Sequence, residues 1–183
     1  PGFGGSCFKK DILNLVYLAD HFGLKEVADF WESVVNLNIY NQSRISQLIV
    51  KKLFGTITGK KISILGFAFK ANTNDTRETP AIKICKDLIE EGAYLSIHDP
   101  KVKNFQIEID LGIKEQKLIK GKVPKEGSWC FHEKVSDAIE GSDAVVILTE
   151  WDIYKNINWV QISKLMRDPA WLFDTRSIIS KIE

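Results

Sequence analysis

Four short apolar runs recur through the last two-thirds of this 183-residue chain, each closed or preceded by glycine, proline or aspartate. Lys61 to Leu65 ends at Gly66, and Tyr94 to His98 ends at Asp99-Pro100. Ala144 to Leu148 follows Gly141, and Trp171 to Phe173 runs into Asp174. Runs this short, rich in Ile, Val and Leu, read as strands buried on both faces. Helical spacing fills the intervals, from Pro80 to about Glu91 before Gly92, and around Lys134 to Glu140 before Gly141. Thr79-Pro80 has the form of an N-cap with proline in the first helical turn. Strands alternating with helices specify an α/β fold with a parallel sheet covered on both faces. Four strands are expected, and the lysine-rich, weakly patterned stretch from Lys101 to Trp129 reads as an insertion or long loop.

The first third has a different texture. From Cys7 to about Phe54 apolar residues recur at helical spacing, with Gly23 separating a first helix from a second. The second pattern, roughly Leu24 to Phe54, outruns an average helix. Its apolar residues exceed what one small domain can cover, which marks a connector or an oligomer contact. Gly55-Thr56-Ile57-Thr58-Gly59 ends it. Two units follow: residues 1–58, with the opening loop and the long central helix, and residues 59–183, the α/β domain.

Composition closes several alternatives. With 25 basic and 24 acidic residues the formal charge is +1, which argues against a nucleic-acid partner, whose footprint is a basic excess on one face. No apolar run reaches the roughly 18 residues that span a bilayer, so no membrane partner is expected. The chain opens on Pro1, so the lack of a secretory segment carries no weight about targeting. Cys7, Cys85 and Cys130 are odd in number and far apart, and His21, His98 and His132 are equally scattered. Neither a disulfide framework nor a metal site is expected, and a reducing, cytoplasmic setting is.

Three segments carry chemistry. In Pro1-Gly2-Phe3-Gly4-Gly5-Ser6-Cys7-Phe8-Lys9-Lys10-Asp11 a glycine-rich loop runs into a helix, placing Cys7 at or near its start. Free backbone N–H groups there favour an anion, and the thiolate is the nucleophile. Lys10 and Asp11, three and four residues on, share its helical face. A cation can hold a developing oxyanion and a carboxylate can position water, a constellation suited to covalent acyl chemistry. The same spacing also suits a small buried cysteine behind a flexible loop. In Ile64 to Glu78 a strand ends at Gly66 and leads to a helix, the place where nucleotides sit in open α/β sheets. The G-x-G-x-x-G dinucleotide fingerprint is absent; Lys70 and Arg77 are cations suited to phosphate, in a loop that could equally be structural. Thr149-Glu150-Trp151-Asp152 and Asp174-Thr175-Arg176 follow predicted strands at the same sheet edge, where Arg176 reads either as a phosphate ligand or as a surface ion-pair residue.

Gly4 to Asp11, Gly66-Phe67-Ala68-Phe69-Lys70, Asp75-Thr76-Arg77-Glu78, Thr149 to Asp152 and Phe173 to Arg176 together resemble the nucleotide-sugar dehydrogenase family, in order and over nearly the whole chain. Phe8 and Lys10 beside the cysteine fit its UDP-glucose branch. The long Lys101–Trp129 region resembles the animal-like form. The resemblance implies a Rossmann-like parallel domain behind a long central helix that pairs subunits. It implies twofold oxidation of the sugar C6 alcohol of UDP-glucose with NAD, giving UDP-glucuronate. In that scheme Cys7 attacks the aldehyde and forms a thioester, with Lys10 and Asp11 as its catalytic neighbours and Asp11 helping water to hydrolyse it. Gly2, Phe3, Gly4, Gly5, Ser6, Phe8, Phe69, Lys70 and Arg176 line the sugar-nucleotide pocket; Arg77 and the Cys7–Lys10 turn approach the cofactor.

The resemblance breaks in two places. The family's N-terminal dinucleotide-binding domain has no counterpart among these residues, so the 183-residue polypeptide alone is expected to fold without catalysing. Thr175 stands where glycine is more usual. A non-catalytic nucleotide-sugar-binding or assembly module, or a sister enzyme acting on another sugar such as UDP-N-acetyl-mannosamine, remain the alternative readings.

Overall fold

The computed structural model describes residues 1–118, 124 and 126–179. Helix α1 (Phe8–His21) turns back at Gly23 into α2 (Lys25–Lys52), a 28-residue helix. The two pack as an antiparallel pair. α2 buries Ala28, Val35, Asn38, Ser46 and Ile49 along one stripe. Beyond it, Leu53 and Ile57 are buried with Ile49 in the core of the α/β unit. The long helix is therefore seated on that unit by its C-terminal half, while much of its remaining surface is apolar and open. Phe30, Leu37 and Tyr40 are each more than half exposed.

Five parallel strands follow: β1 (Lys61–Leu65), β2 (Tyr94–His98), β3 (Ser128–Phe131), β4 (Ala144–Ile147) and β5 (Trp171–Asp174). Their order across the sheet is β3-β2-β1-β4-β5. The Rossmann-like sheet is thus confirmed, with one strand more than expected. Lys101–Trp129 is not a long loop. It contains α4 (Asn104–Leu111), ended by Gly112 in the left-handed region, and the first residues of β3. The strand was hidden because it sits at the sheet edge, and Ser128 and Cys130 interrupt its apolar character. Residues 119–123 and 125 of that stretch lie outside the described residues. Between strands, α3 (Pro80–Glu90) begins at Thr79, whose Oγ1 accepts the Ala81 N–H at 3.3 Å. Helix α5 (Val135–Ile139) precedes β4, and the short α6 (Asp152–Lys155) and α7 (Trp159–Ser163) connect β4 to β5. α6 and α7, too brief for a periodic signal, were not expected. No described helix is long and apolar enough to cross a membrane.

The chain leaves β1 on one side toward β2 and β3, and returns to its other side as β4 and β5. The carboxyl ends of β1 and β4 are therefore flanked by loops that diverge, which opens a crevice there. One buried carboxylate holds the edge of that crevice. Asp99, at the end of β2, accepts the Phe67 and Ala68 N–H groups on Oδ2 at 2.7 and 3.0 Å. It accepts Lys101 and Val102 N–H on Oδ1 at 2.8 and 2.9 Å, and Trp151 Nε1–H on Oδ2 at 3.2 Å. Replacing Asp99 with Ala would leave five donors without their acceptor, so we expect a loss of about 3–5 kcal/mol, read as a lower urea midpoint.

Candidate active site

The glycine-rich opening loop lies in a channel between α2 and the β1–α3 connection. Phe3 is held by Asn38 of α2: its N–H donates to Asn38 Oδ1 at 2.9 Å and its carbonyl accepts Nδ2–H at 3.0 Å. Gly4 passes so close to the Glu78 carbonyl that a Cβ there would meet it at 2.4 Å. Gly5 donates its N–H to the Arg77 carbonyl at 3.0 Å. Its φ is +86°, and a Cβ would touch the Phe69 ring at 3.0 Å, so only glycine serves both the turn and the contact. Phe3 and Phe8 rings meet edge to face at 4.6 Å across the loop. Lys9 closes the arrangement with a 2.8 Å ion pair to Glu78, which itself holds a left-handed backbone with φ +53°.

This path delivers Cys7 to the N-cap of α1, as expected, with its thiol exposed and Ser6 Oγ 3.7 Å from Sγ. The Asp11 N–H bonds the Cys7 carbonyl at 2.9 Å, fixing the first helical turn. Lys10 and Asp11, also exposed, lie on that turn. Cys7, Lys10 and Asp11 thus share one exposed turn, while Lys9 faces the other way and is structural.

The second half of the site is the β1–α3 loop. Phe69, half-buried, carries Lys70 Nζ above its ring at 5.3 Å from the centroid. Phe69 N–H bonds the Asp75 carbonyl at 3.1 Å, which folds the loop onto itself. Arg77 is held in cis by Asp75, with Nε at 3.0 Å and Nη2 at 2.7 Å from its carboxylate. That hydrogen-bonded pairing keeps the Asp75 carboxyl below its ordinary range and the Arg77 guanidinium above its own. Arg176, reaching in from the end of β5, bonds the Leu148 carbonyl through Nε at 2.7 Å and the Phe69 carbonyl through Nη2 at 3.4 Å. Glu150 lies 3.4 Å from it and accepts the Ala71 N–H at 3.3 Å. Burial pushes the Arg176 guanidinium below its usual value, against the pull of Glu150. Thr175 costs nothing at this turn: the left-handed backbone falls on Ser177, φ +53°, and Thr175 Oγ1 donates to the Ile147 carbonyl at 2.6 Å.

Phe69, Lys70 and Arg176 therefore converge on the β1/β4 crevice, and Gly5 joins the Cys7 loop to it through Phe69. One surface concavity adjoins this cluster without coinciding with it. A cleft of about 340 Å³ lies between Pro1, Arg44, Phe173 and Thr175. The crevice itself is an open face. Asn38, Glu78 and Glu150 belong to the site's framework and were not singled out from sequence. Asn38 alone left a legible trace, an amide standing on an otherwise largely apolar buried stripe.

The geometry bears on two further sites. A dinucleotide pyrophosphate needs free N–H groups where β1 ends; here Phe67 and Ala68 give theirs to Asp99, and Gly66 gives its own to the His98 carbonyl at 2.8 Å. The residues present do not build that cradle. Cys130 Sγ and His132 Nε2 approach to 2.9 Å at the far edge of the sheet, where burial pushes the thiol up and the imidazole down. No group of three or more metal-ligating side chains occurs among the described residues.

A parallel sheet with a crevice at β1 and β4, entered by a cysteine-bearing glycine loop, defines a class that sequence comparison identifies. Residues 63–181 match the UDP-binding domain of the UDP-glucose/GDP-mannose dehydrogenase family, and residues 1–40 match its central domain. The chain belongs to that family. It is 47% identical to UDP-glucose 6-dehydrogenase of Drosophila melanogaster over 97% of its length, and 46% identical to that of Pongo abelii over 97%. It spans 37% and 35% of those two relatives. The fold matches a UDP-glucose dehydrogenase from Pyrobaculum islandicum with a TM-score of 0.70, 24% identity, and coverage of 94% of this chain and 38% of that one. A GDP-mannose dehydrogenase from Pseudomonas aeruginosa matches with a TM-score of 0.69, 21% identity, and coverage of 100% and 38%.

Gly5→Ala tests whether the loop path matters. It forces a left-handed alanine against Phe69, so we expect about 1–2 kcal/mol lost in urea unfolding.

Proposed function

We propose that the protein to which this chain belongs oxidises UDP-glucose at C6 to UDP-glucuronate, using NAD, in the reducing setting of the cytoplasm. The observation that carries the reading is the exposed Cys7 at the start of α1, tied through Gly5 to the crevice where Phe69, Lys70 and Arg176 converge. The 47% identity to a UDP-glucose 6-dehydrogenase over nearly the whole chain supports the substrate. Lys70 and Arg176 take the diphosphate, and Phe69 offers a flat apolar surface beside them. The loop from Gly2 to Ser6, with Phe8, forms the wall along which the sugar reaches Cys7.

The chemistry proper to this chain begins at the aldehyde level. Cys7 Sγ adds to the C6 carbonyl, forming an S–C bond while the carbonyl oxygen takes a proton, with Lys10 stabilising the charge on that oxygen. With a hydride acceptor, which NAD would supply, and loss of the hydroxyl proton, the adduct would become a Cys7 thioester. Water oriented by Asp11 then attacks the acyl carbon, the C–S bond breaks, and the thiol and the product carboxylate are released. NAD supplies the hydride acceptor; Arg77 and the Cys7–Lys10 turn would face it, while its pyrophosphate needs a cradle that these residues do not form.

In the complete enzyme, Cys7→Ser should cut steady turnover by about a thousandfold or more while UDP-glucose affinity stays within about twofold. Retention of more than about a tenth of wild-type turnover would remove Cys7 from the covalent step. Arg176→Ala should raise the KM for UDP-glucose more than that for NAD.

The exposed apolar face of α2, with Phe30, Leu37 and Tyr40, supports pairing with a second copy of the chain. Analytical ultracentrifugation of the 183-residue polypeptide at micromolar concentration should give a dimer or larger species. A monomer that retains its helical circular dichroism would count against the pairing.

A further inference from the structure

An asparagine in the middle of a long helix, on the buried stripe that also carries Ala28, Val35 and Ile49, is expensive unless both halves of its amide are satisfied. Asn38 is 7% exposed, and both halves are spent on a single residue of the opening loop, the N–H and the C=O of Phe3. The pairing imitates a rung of a β-ladder, made by a side chain. The loop is shaped to receive it: Gly2 has φ +87°, and a Cβ there would fall 2.3 Å from Asn38 Oδ1. Four residues after Phe3 stands Cys7. Between them the only other backbone clasp in the described structure is Gly5 N–H on the Arg77 carbonyl. Two clasps, one from each structural unit, therefore fix the segment that presents the thiol.

We propose that Asn38 is a positioning residue for Cys7, holding the glycine-rich loop at the height where Sγ meets the substrate carbonyl. The inference rests on the reading of Cys7 as the covalent nucleophile. Without the amide the loop stays pinned at Gly5 alone, and its first three residues gain freedom. A displacement of about 1 Å at a reacting atom is enough to cost about a hundredfold in rate. Affinity for the uridine diphosphate, carried by Phe69, Lys70 and Arg176 on the other side of the crevice, is largely spared. The signature is a fall in kcat with little movement in UDP binding.

The experiment uses the complete enzyme with Asn38→Ala, Asn38→Asp and Cys7→Ser, each normalised to its number of UDP-binding sites by calorimetry, so that unfolded protein is not counted as lost rate. Asn38→Ala should lower kcat per site about 10- to 100-fold, with the Kd for UDP within about threefold. Asn38→Asp keeps the volume and the acceptor for Phe3 N–H but cannot donate to the Phe3 carbonyl, so its kcat should lie between wild type and Asn38→Ala. If Asn38→Ala fails to fold, Asn38→Asp decides, with a fall of at least about threefold expected. The rate of Cys7 carbamidomethylation by iodoacetamide, followed by mass spectrometry, should change in both variants. A kcat per site within about twofold of wild type, with an unchanged alkylation rate, overturns the inference while leaving Cys7 untouched. Should Cys7→Ser itself turn over normally, the reading beneath it fails first, and is recognised as doing so.

Discussion

The buried carboxylate of Asp99 is the constraint on which the crevice depends. It sits at the carboxyl end of β2, yet its partners come from three connections: the exit of β1, the turn after β2, and the indole of Trp151 beyond β4. An acidic group at 3% exposure is tolerable only because five donors surround it. Four of those donors are otherwise the orphans of a parallel sheet, backbone N–H groups left pointing outward where strands stop. One side chain removes the polar cost of three loops and fixes their relative positions, and the ledge bearing Phe69 and Lys70 inherits its place from that knot. The same occupancy decides chemistry. In a dinucleotide domain, N–H groups in this place bind a pyrophosphate; here they are consumed internally, and the ligand face moves outward to side chains.

The glycine loop depends on a different economy, that of volume. Gly4 and Gly5 run where a single added carbon would collide with the Glu78 carbonyl or the Phe69 ring. Packing of this closeness makes the loop a rigid part of the site although it has no regular structure, and it transmits the position of the β1–α3 connection to α1. Glu78 shows the cost: a non-glycine residue with positive φ, held there by its ion pair to Lys9 and the chain packed against its carbonyl.

Much of this was legible without coordinates, for reasons that differ by element. β1, β2 and β4 are central strands, and burial on both faces leaves Ala144–Leu148 uniformly apolar and Ile62–Leu65 apolar but for Ser63. α2 spans eight turns, so its period is well sampled. β3 escaped notice because an edge strand bearing Ser128, Cys130 and, just past its end, His132 does not carry that uniform signal. α4 escaped because Lys101 and Lys103 obscure a single buried ridge, Ile107 and Leu111. Among the site residues, Cys7, Phe69, Lys70 and Arg176 were marked by their motifs. Glu78 and Glu150 lay inside those motifs and Asn38 outside them, but what they hold, the Lys9 ammonium, the Ala71 N–H and the Phe3 backbone, is distant in sequence, and periodicity carries no trace of such pairing.

The three cations near the crevice are not equivalent, and their present partners rank them for an anionic ligand. Arg77 has its Nε and Nη2 engaged by Asp75, so a phosphate recruiting it must displace a hydrogen-bonded carboxylate. Among the described residues Lys70 Nζ lies over the face of Phe69, a contact worth roughly 0.5–1 kcal/mol at an exposed site and easily exchanged for an anion. Arg176 is intermediate. Its guanidinium is oriented by two carbonyls and faces Glu150 at 3.4 Å, but it is partly desolvated, and burial already disfavours its charge. A group in that condition gains most from an arriving anion, since Coulomb attraction strengthens as local dielectric falls. Lys70 and Arg176 are therefore the two cations most available to an anion at the crevice, and Arg77, locked to Asp75 and largely exposed at the rim, is the least available.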